Sequence, residues 1–185
     1  TQNGVRGGSA TVHFPIWHQE IEDIIVLKNN KGTEDNRVRK LDYSIQMSKI
    51  FYERFIKGGD ITLFSPHDVP GLYEAFGTPK FDALYKKYEK DTTIPKKTIQ
   101  ARTLIGDVLK ERAETGRIYI MNIDHTNDHS SFIDPVRMSN LCQEITLPTD
   151  PLQHIDGKGE IALCILSAIN VCLLYTSDAA DEVDG

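Results

Sequence analysis

At 185 residues, the chain has the length of one domain or of part of a larger one. Its net charge of −6 argues against a general nucleic-acid or membrane-surface binder, and no apolar run is long enough to cross a bilayer. Three cysteines, Cys142, Cys164 and Cys172, are typical of a reducing compartment rather than a secreted disulfide scaffold, so we expect a cytoplasmic protein.

The first third of the chain predicts a strand followed by two helices. Residues 11–16 alternate loosely between polar and apolar side chains and predict a short strand. Residues 20–27 suit a helix. Apolar residues at helical spacing over residues 38–55 predict a second helix, which the glycine pair at 58–59 ends.

The remainder of the chain alternates strands with helices. Further strands are predicted over residues 61–64, 118–123, 144–147 and 161–168, and further helices over residues 81–88 and 98–115. Residues 65–71 contain two prolines and predict a loop. Strands separated by helices indicate an α/β fold with a mostly parallel sheet, in which functional groups gather at the C-terminal ends of the strands.

The stretch SNLCQE, residues 139–144, places a thiol between an amide and a carboxylate at two-residue spacing. In an extended segment the side chains of Asn140, Cys142 and Glu144 point to one face. A lone cysteine in a strand is usually a small buried hydrophobe, but polar neighbours on its own face pack poorly in a core. No histidine lies nearby as a base, and a carboxylate disfavours the thiolate. The pattern therefore favours a sulfur that carries a neutral hydrogen atom, with Glu144 free for proton transfer.

Three other groups of residues leave more than one interpretation open. Residues 124–129, DHTNDH, could bind a metal, although a polar, hydrogen-bonded loop is the commoner outcome. Residues 3–8, NGVRGG, predict a flexible turn, but such a loop also lets the backbone approach a flat base while Arg6 supplies donors. Cys142 and Cys164 could form a redox pair, a zinc half-site or nothing; zinc is disfavoured because neither lies in a CxxC motif.

Several blocks of sequence carry a family resemblance. They are NGVRGG with HFPIWH, then VLKNN, ITLFSPHDVPGLY, ERAETGRIYIMNIDH, SNLCQEITLPT and GEIALCILSAIN. In this order they resemble the catalytic large subunit of class I ribonucleotide reductase, of bacterial or bacteriophage type. The resemblance covers residues 1–171 and implies an incomplete, partial ten-stranded α/β barrel, in which the radical cysteine lies on a loop threaded through the centre.

The resemblance implies a role for each residue at a matching position. Cys142 matches the cysteine that becomes a thiyl radical and removes hydrogen from C3′ of the ribose. Glu144 matches the carboxylate that takes the 3′-hydroxyl proton, and Asn140 the amide that orients the substrate hydroxyls. Ser139 is implied to bind substrate. Cys164 matches one of the two cysteines that reduce the 2′ position and end as a disulfide.

The resemblance also implies a loop that links the effector nucleotide to the substrate base, with Arg6 reaching the base. Its residues are Asn3, Gly4, Val5, Arg6, Gly7, Gly8 and Ser9. Ribonucleoside diphosphates are the implied substrates, and ATP or deoxynucleotides the effectors of the full-length enzyme. We expect no metal or other cofactor on this chain, because a radical-generating, metal-containing small subunit supplies the radical. The other implied partners are a second large subunit and thioredoxin or glutaredoxin; no nucleic acid or membrane is expected.

The chain also departs from the family pattern. The second reducing cysteine, the N-terminal nucleotide-binding cone, the radical-relaying tyrosines and the cysteine-bearing C-terminal tail have no counterpart, so we expect residues 1–171 to be a barrel-domain fragment that is inactive alone. Residues 172–185, which contain CLLYTSDAADE, resemble a translated sequencing adapter. We expect them to be a non-native, disordered tail; a genuine divergent C-terminus is the alternative.

Two rival functions remain at the level of sequence. An anaerobic or cobalamin-dependent ribonucleotide reductase would share the barrel and the thiyl chemistry, but the Asn-Leu-Cys-x-Glu run and its flanks favour class I. A non-catalytic nucleotide- or metal-binding module would use the loop around Arg6 or residues 124–129.

Overall fold

The computed structural model describes residues 4–5, 7–150, 157, 159–160 and 167–172. The strands are β1 (Thr11–Pro15), β2 (Asp42–Met47), β3 (Asp60–Leu63), β4 (Lys97–Gln100) and β5 (Ile118–Asn122). The helices are α1 (Ile21–Ile25), α2 (Lys49–Lys57), α3 (Leu72–Ala75), α4 (Phe81–Lys90), α5 (Ala101–Thr115) and α6 (Ile123–Asp128), with a 3-10 turn over Glu34–Asn36. Within this described part, no helix has the length and apolarity needed to cross a membrane.

The main sheet consists of three parallel strands in the order β1-β2-β5, while β3 and β4 form a separate antiparallel pair. In the parallel register, His13 lies beside Ser44, and Ser44 lies beside Tyr119. The predicted α/β fold with a mostly parallel sheet is confirmed. The described strands leave the sheet open, as expected of an incomplete barrel.

The two faces of the parallel sheet differ in chemistry, because successive side chains in a strand point to opposite faces. One face belongs to the hydrophobic core and carries buried Phe14, Tyr43 and Ile45. The other face carries polar side chains from two neighbouring strands, namely Thr11, His13, Ser44 and Gln46. Ser44 and Gln46 are nevertheless buried, so a segment with hydrogen-bonding groups must pack over this face of the sheet.

An aromatic cluster fills the core beside the sheet. Trp17, Phe51, Phe76, Phe81 and Tyr85 are all buried. The ring centroids of Phe76 and Phe81 lie 4.6 Å apart, and those of Phe51 and Tyr85 meet edge to face at 5.4 Å. Such contacts add specific geometry to the gain from apolar burial, so the cluster fixes α2 and α4 relative to each other.

The helix predicted over residues 38–55 is wrong in its first half. Residues 42–47 form β2, and α2 begins only at Lys49. The sequence DYSIQM alternates polar and apolar residues, which is the period of a strand, and β2 lies between two other strands. The predicted helix end is confirmed, because Gly58 caps α2 in the left-handed conformation.

Three other predicted elements need correction. Residues 97–100 pair with β3 as strand β4, so the helix predicted from residue 98 begins at Ala101. Residues 124–128 lie in α6 instead of a loop. Residues 144–147 form no strand, because Ile145 pairs locally with Asn140.

The other predicted elements agree with the structure. The strands predicted over residues 11–16, 61–64 and 118–123 and the helices over 20–27 and 81–88 are confirmed, with bounds shifted by up to two residues. The strand predicted over residues 161–168 lies mostly outside the described residues.

Candidate functional site

Residues 137–145, which we call the cysteine loop, lie along the polar face of the parallel sheet. Every second residue from 137 to 143 contacts a polar side chain of β1 or β2. In order, the contacts are Gln46 Nε2 donating to the Arg137 carbonyl, Ser139 Oγ 3.4 Å from His13 Nε2, Thr11 Oγ1 donating to the Leu141 carbonyl at 2.7 Å, and Ser44 Oγ donating to Gln143 Oε1 at 2.6 Å. The sheet's polar residues therefore hold the cysteine loop.

The predicted catalytic residues occupy the alternate positions of the loop. Asn140 Nδ2 donates to Glu144 Oε1 at 2.7 Å, and Asn140 Oδ1 accepts from the Ile145 N–H at 3.0 Å. Cys142 is an exposed free thiol in the turn between them, which the Gln143 N–H closes by donating to the Asn140 carbonyl at 3.2 Å. The extended conformation predicted for this run is wrong, because it is a turn. The turn nevertheless brings the amide and the carboxylate into contact.

Ser139, the predicted substrate-binding residue, is held by a histidine that the sequence analysis did not single out. Burial lowers the pKa of His13 below the usual imidazole value, and the contact with the Ser139 backbone opposes this shift. The neutral ring can then accept from the Ser139 N–H, whose nitrogen lies 3.5 Å from Nε2, with its own proton on Nδ1. Among the described residues nothing pairs with that buried Nδ1.

The start of the cysteine loop is anchored by residues outside the sheet. The Arg137 guanidinium donates to the carbonyls of Tyr73 and Glu74, at 3.0 Å and 2.7 Å. The side-chain amide of Asn127 pairs with both backbone groups of Val136, accepting from its N–H at 2.7 Å and donating to its carbonyl at 3.1 Å. α3 and α6 therefore fix where the chain enters the loop.

The polar run at residues 124–129 has a structural use. Asp124 Oδ2 accepts from the Lys49 N–H at 2.6 Å and so caps α2, while Asn127 supports Val136. The rings of His125 and His129 lie 6.5 Å apart. In the part of the chain that the structure describes, no three metal-ligating side chains gather.

The remaining predicted site residues are either exposed or outside the described part of the chain. Gly4, Val5, Gly7, Gly8 and Ser9 are exposed. Asn3, Arg6 and Cys164 lie outside the described residues, so the predicted base-reaching role of Arg6 and the pairing of Cys164 stay predictions.

A cleft of about 490 Å³ opens next to the start of the cysteine loop, beside Arg137 and Met138. Its lining includes four acidic residues, Glu74, Asp134, Asp150 and Glu160. Clustered carboxylates repel phosphate groups, and the Arg137 guanidinium already donates to two carbonyls. We therefore do not assign this cleft to an anionic substrate.

Comparisons with known proteins agree on one family. The profile described as "Ribonucleotide reductase, barrel domain" matches residues 1–184. The ribonucleoside-diphosphate reductase subunit alpha of Haemophilus influenzae is 60% identical over 177 residues, which is 92% of this chain and 23% of the relative. The corresponding subunit 1 alpha of Escherichia coli is 57% identical over 157 residues, or 82% of this chain and 21% of the relative.

A bacteriophage relative shows the same pattern of coverage. The subunit alpha of Enterobacteria phage T4 is 48% identical over 174 residues, or 91% of this chain and 23% of the relative. The chain thus spans less than a quarter of the length of each of these curated relatives.

Proposed function

Because the chain belongs to the ribonucleotide reductase family, matched over its barrel domain, we propose that it is a segment of an enzyme that reduces ribonucleoside diphosphates to 2′-deoxyribonucleoside diphosphates. The cysteine loop is the observation that carries this proposal. It combines an exposed thiol, Cys142, with a carboxylate that an amide orients at 2.7 Å. These are the groups that radical chemistry on a ribose needs: a hydrogen-atom carrier and a base for a hydroxyl proton.

In the proposed reaction, a thiyl radical on Cys142 takes the hydrogen atom from C3′ of the ribose. Glu144 accepts the 3′-hydroxyl proton, and the 2′-hydroxyl leaves as water. Two thiols, of which Cys164 is one, supply two electrons and two protons and become a disulfide. Cys142 then returns its hydrogen atom to C3′, and Glu144 returns its proton to the 3′-oxygen. The balance is one ribonucleotide and two thiols giving one deoxyribonucleotide, one disulfide and water.

The residues around Cys142 have positioning and binding roles in this proposal. Asn140 orients Glu144 and the substrate hydroxyls, and Ser139, which His13 contacts, binds substrate. Catalysis by such a loop depends mainly on geometry and on a well-placed proton acceptor. The loop of Asn3 to Ser9, whose described residues are exposed, is proposed to read the base of the substrate, with Arg6 as donor.

The proposal extends to the partners of the full-length protein. A metal-containing small subunit is proposed to generate the radical, as the alpha-subunit naming of the relatives suggests, and thioredoxin or glutaredoxin to reduce the disulfide that includes Cys164. The large subunit forms a homodimer and takes ATP or deoxynucleotides as effectors. We place it in the cytoplasm, where thiols remain reduced. Residues 172–185 are proposed to be non-native.

The proposal is tested on the full-length subunit that carries this segment, mixed with its small subunit and a dithiol reductant. Wild-type protein should convert a ribonucleoside diphosphate to the deoxy product, as measured by chromatography. Cys142→Ser should abolish turnover but keep substrate binding within about twofold, because an O–H bond is too strong to yield the needed radical. Turnover by Cys142→Ser, or none by the wild type with an active small subunit, would refute the proposal.

A further inference from the structure

The side chain of Gln143, the residue that follows the reactive cysteine, hydrogen-bonds to the sheet, whereas Cys142 itself is exposed. Gln143 Oε1 accepts from Ser44 Oγ at 2.6 Å, and Gln143 Nε2 donates to the Ile120 carbonyl at 3.0 Å. One side-chain amide therefore bridges β2 and β5. Ser44 is fully buried, so its hydroxyl depends on this partner.

The backbone at Gln143 is held in a conformation that its residue type rarely adopts. Its φ is +65°, and among the described residues no other non-glycine residue has a positive φ. Such a conformation persists only where surrounding contacts impose it. The Gln143 N–H also closes the turn around Cys142 through the Asn140 carbonyl. The position of the cysteine is thus coupled to both bonds of the Gln143 amide.

We propose that Gln143 is a positioning residue for Cys142, acting through Ser44 and the Ile120 carbonyl. The catalytic consequence of this inference rests on the proposed function, whereas the claim that Gln143 holds the turn does not depend on it. The amide holds the left-handed turn, and Cys142 lies in that turn, between Asn140 and Glu144 in the sequence. Without the amide, the turn relaxes toward conformations with negative φ, and the thiol leaves its position.

The first test measures hydrogen exchange in the full-length subunit, on a peptide covering residues 138–146. Gln143→Leu, which keeps the size of the side chain but removes the amide, should speed exchange of this peptide at least tenfold. A peptide over residues 97–104 should be unchanged, because it belongs to the other sheet and α5. The matched control is Gln19→Leu, a change at an exposed glutamine outside the loop, which should alter neither peptide.

A second substitution keeps the proposal testable if Gln143→Leu fails to fold. Ser44→Ala removes the hydroxyl donor and should speed exchange of the loop peptide about three- to tenfold. If both residues act through one contact, Gln143→Leu added to Ser44→Ala should have a smaller effect than Gln143→Leu alone. Independent, multiplicative effects would contradict the proposed bridge.

A pH profile separates positioning from a loss of general stability. In Gln143→Glu the ionised carboxylate cannot donate to the Ile120 carbonyl, but the protonated carboxyl can donate and still accept from Ser44. Loop exchange in this variant, relative to wild type at each pH, should therefore return toward wild type as pH falls from 7 to 4, through the range in which a glutamate side chain takes up its proton. If the ratio of the variant's loop exchange rate to that of wild type does not change with pH, the bond donated to the Ile120 carbonyl has no role in holding the loop.

Activity provides the last arm of the test. Gln143→Leu should lower kcat at least tenfold with KM within about twofold, because the substrate groups are still present while the thiol is misplaced. Loop exchange and kcat that both stay within twofold of wild type would overturn the inference. If the wild-type subunit proves inactive, the proposed function fails, while the exchange data still decide whether Gln143 holds the turn.

Discussion

Removal of the Tyr85 hydroxyl should destabilise the protein by far more than its size suggests. This hydroxyl accepts from the Thr62 N–H at 2.8 Å and donates to the Thr62 carbonyl at 2.7 Å. Burial raises the pKa of Tyr85 well above its usual value, so the hydroxyl keeps the proton that it donates. Both backbone groups of Thr62, in β3, depend on this one atom.

The expected cost of Tyr85→Phe follows from those two bonds. Each buried backbone group left without a partner costs about 1–3 kcal/mol, and the more apolar ring of Phe recovers part of the loss. We therefore expect the free energy of unfolding to fall by about 3 kcal/mol. With a urea dependence of about 2 kcal/mol per molar, the unfolding midpoint should fall by about 1.5 M.

Urea unfolding of the chain can be followed by the fluorescence of Trp17, the single tryptophan, which is buried in the aromatic cluster. Tyr88→Phe is the matched control, because its hydroxyl donates to the Pro70 carbonyl at 2.7 Å in an exposed position and should contribute under about 1 kcal/mol. Equal midpoints for the two variants, or a shift for Tyr85→Phe below about 0.3 M, would refute the reasoning.

Three further outcomes are expected. Glu144→Gln in the full-length subunit should lower turnover at least about 100-fold, the typical worth of a positioned proton acceptor; an unimpaired steady-state rate would remove Glu144 from the mechanism. Because the folded-state pKa of His13 is lowered, the unfolded state binds more protons below about pH 6.5, and stability should fall as pH drops from 7 to 5. His13→Phe should reduce that dependence in urea unfolding, leaving the share of His18, whose pKa burial also lowers, and an unchanged dependence would contradict the burial of a neutral His13 ring. Gly77→Ala should destabilise by about 2–4 kcal/mol, because its φ is +79° and a Cβ would lie 2.7 Å from Asn127 Nδ2 and 2.8 Å from Ile123 Cγ1, both in α6. Gly71→Ala, with the same φ and no neighbour within 4 Å, should cost only about 1 kcal/mol in the same assay.

Much of the fold was accessible from local sequence patterns. The strand at β5 and the helix at α4 follow from short, well-bounded apolar patterns, and both are confirmed. β2 was missed because its apolar residues also match helical spacing over a longer window. Its alternation of Ser44 and Gln46 with Tyr43 and Ile45 was the better signal, since polar residues at period two in a buried strand indicate a polar contact on one face.

The candidate site was predictable in its residues but not in its geometry. The spacing of Asn140, Cys142 and Glu144 singles out the proposed reactive groups, yet the conformation that brings two of them together is a turn, which long-range contacts hold against the sheet. His13 and Gln143 could not be selected from local sequence, because their roles depend on partners 126 and 99 positions away. Only the tertiary structure pairs them.

Along β2, polar side chains face the cysteine loop and apolar side chains face the hydrophobic core, in strict alternation. This alternation makes the strand intolerant of changes in length. Inserting or deleting a single amino acid would swap inward and outward positions for everything downstream of the change. Tyr43 or Ile45 would then face the cysteine loop, while Ser44 or Gln46 would point into the hydrophobic core. An insertion or deletion here should therefore destabilise the fold and also break the contacts that hold the cysteine loop. Functional variants are expected to differ in β2 by substitutions, without insertions or deletions.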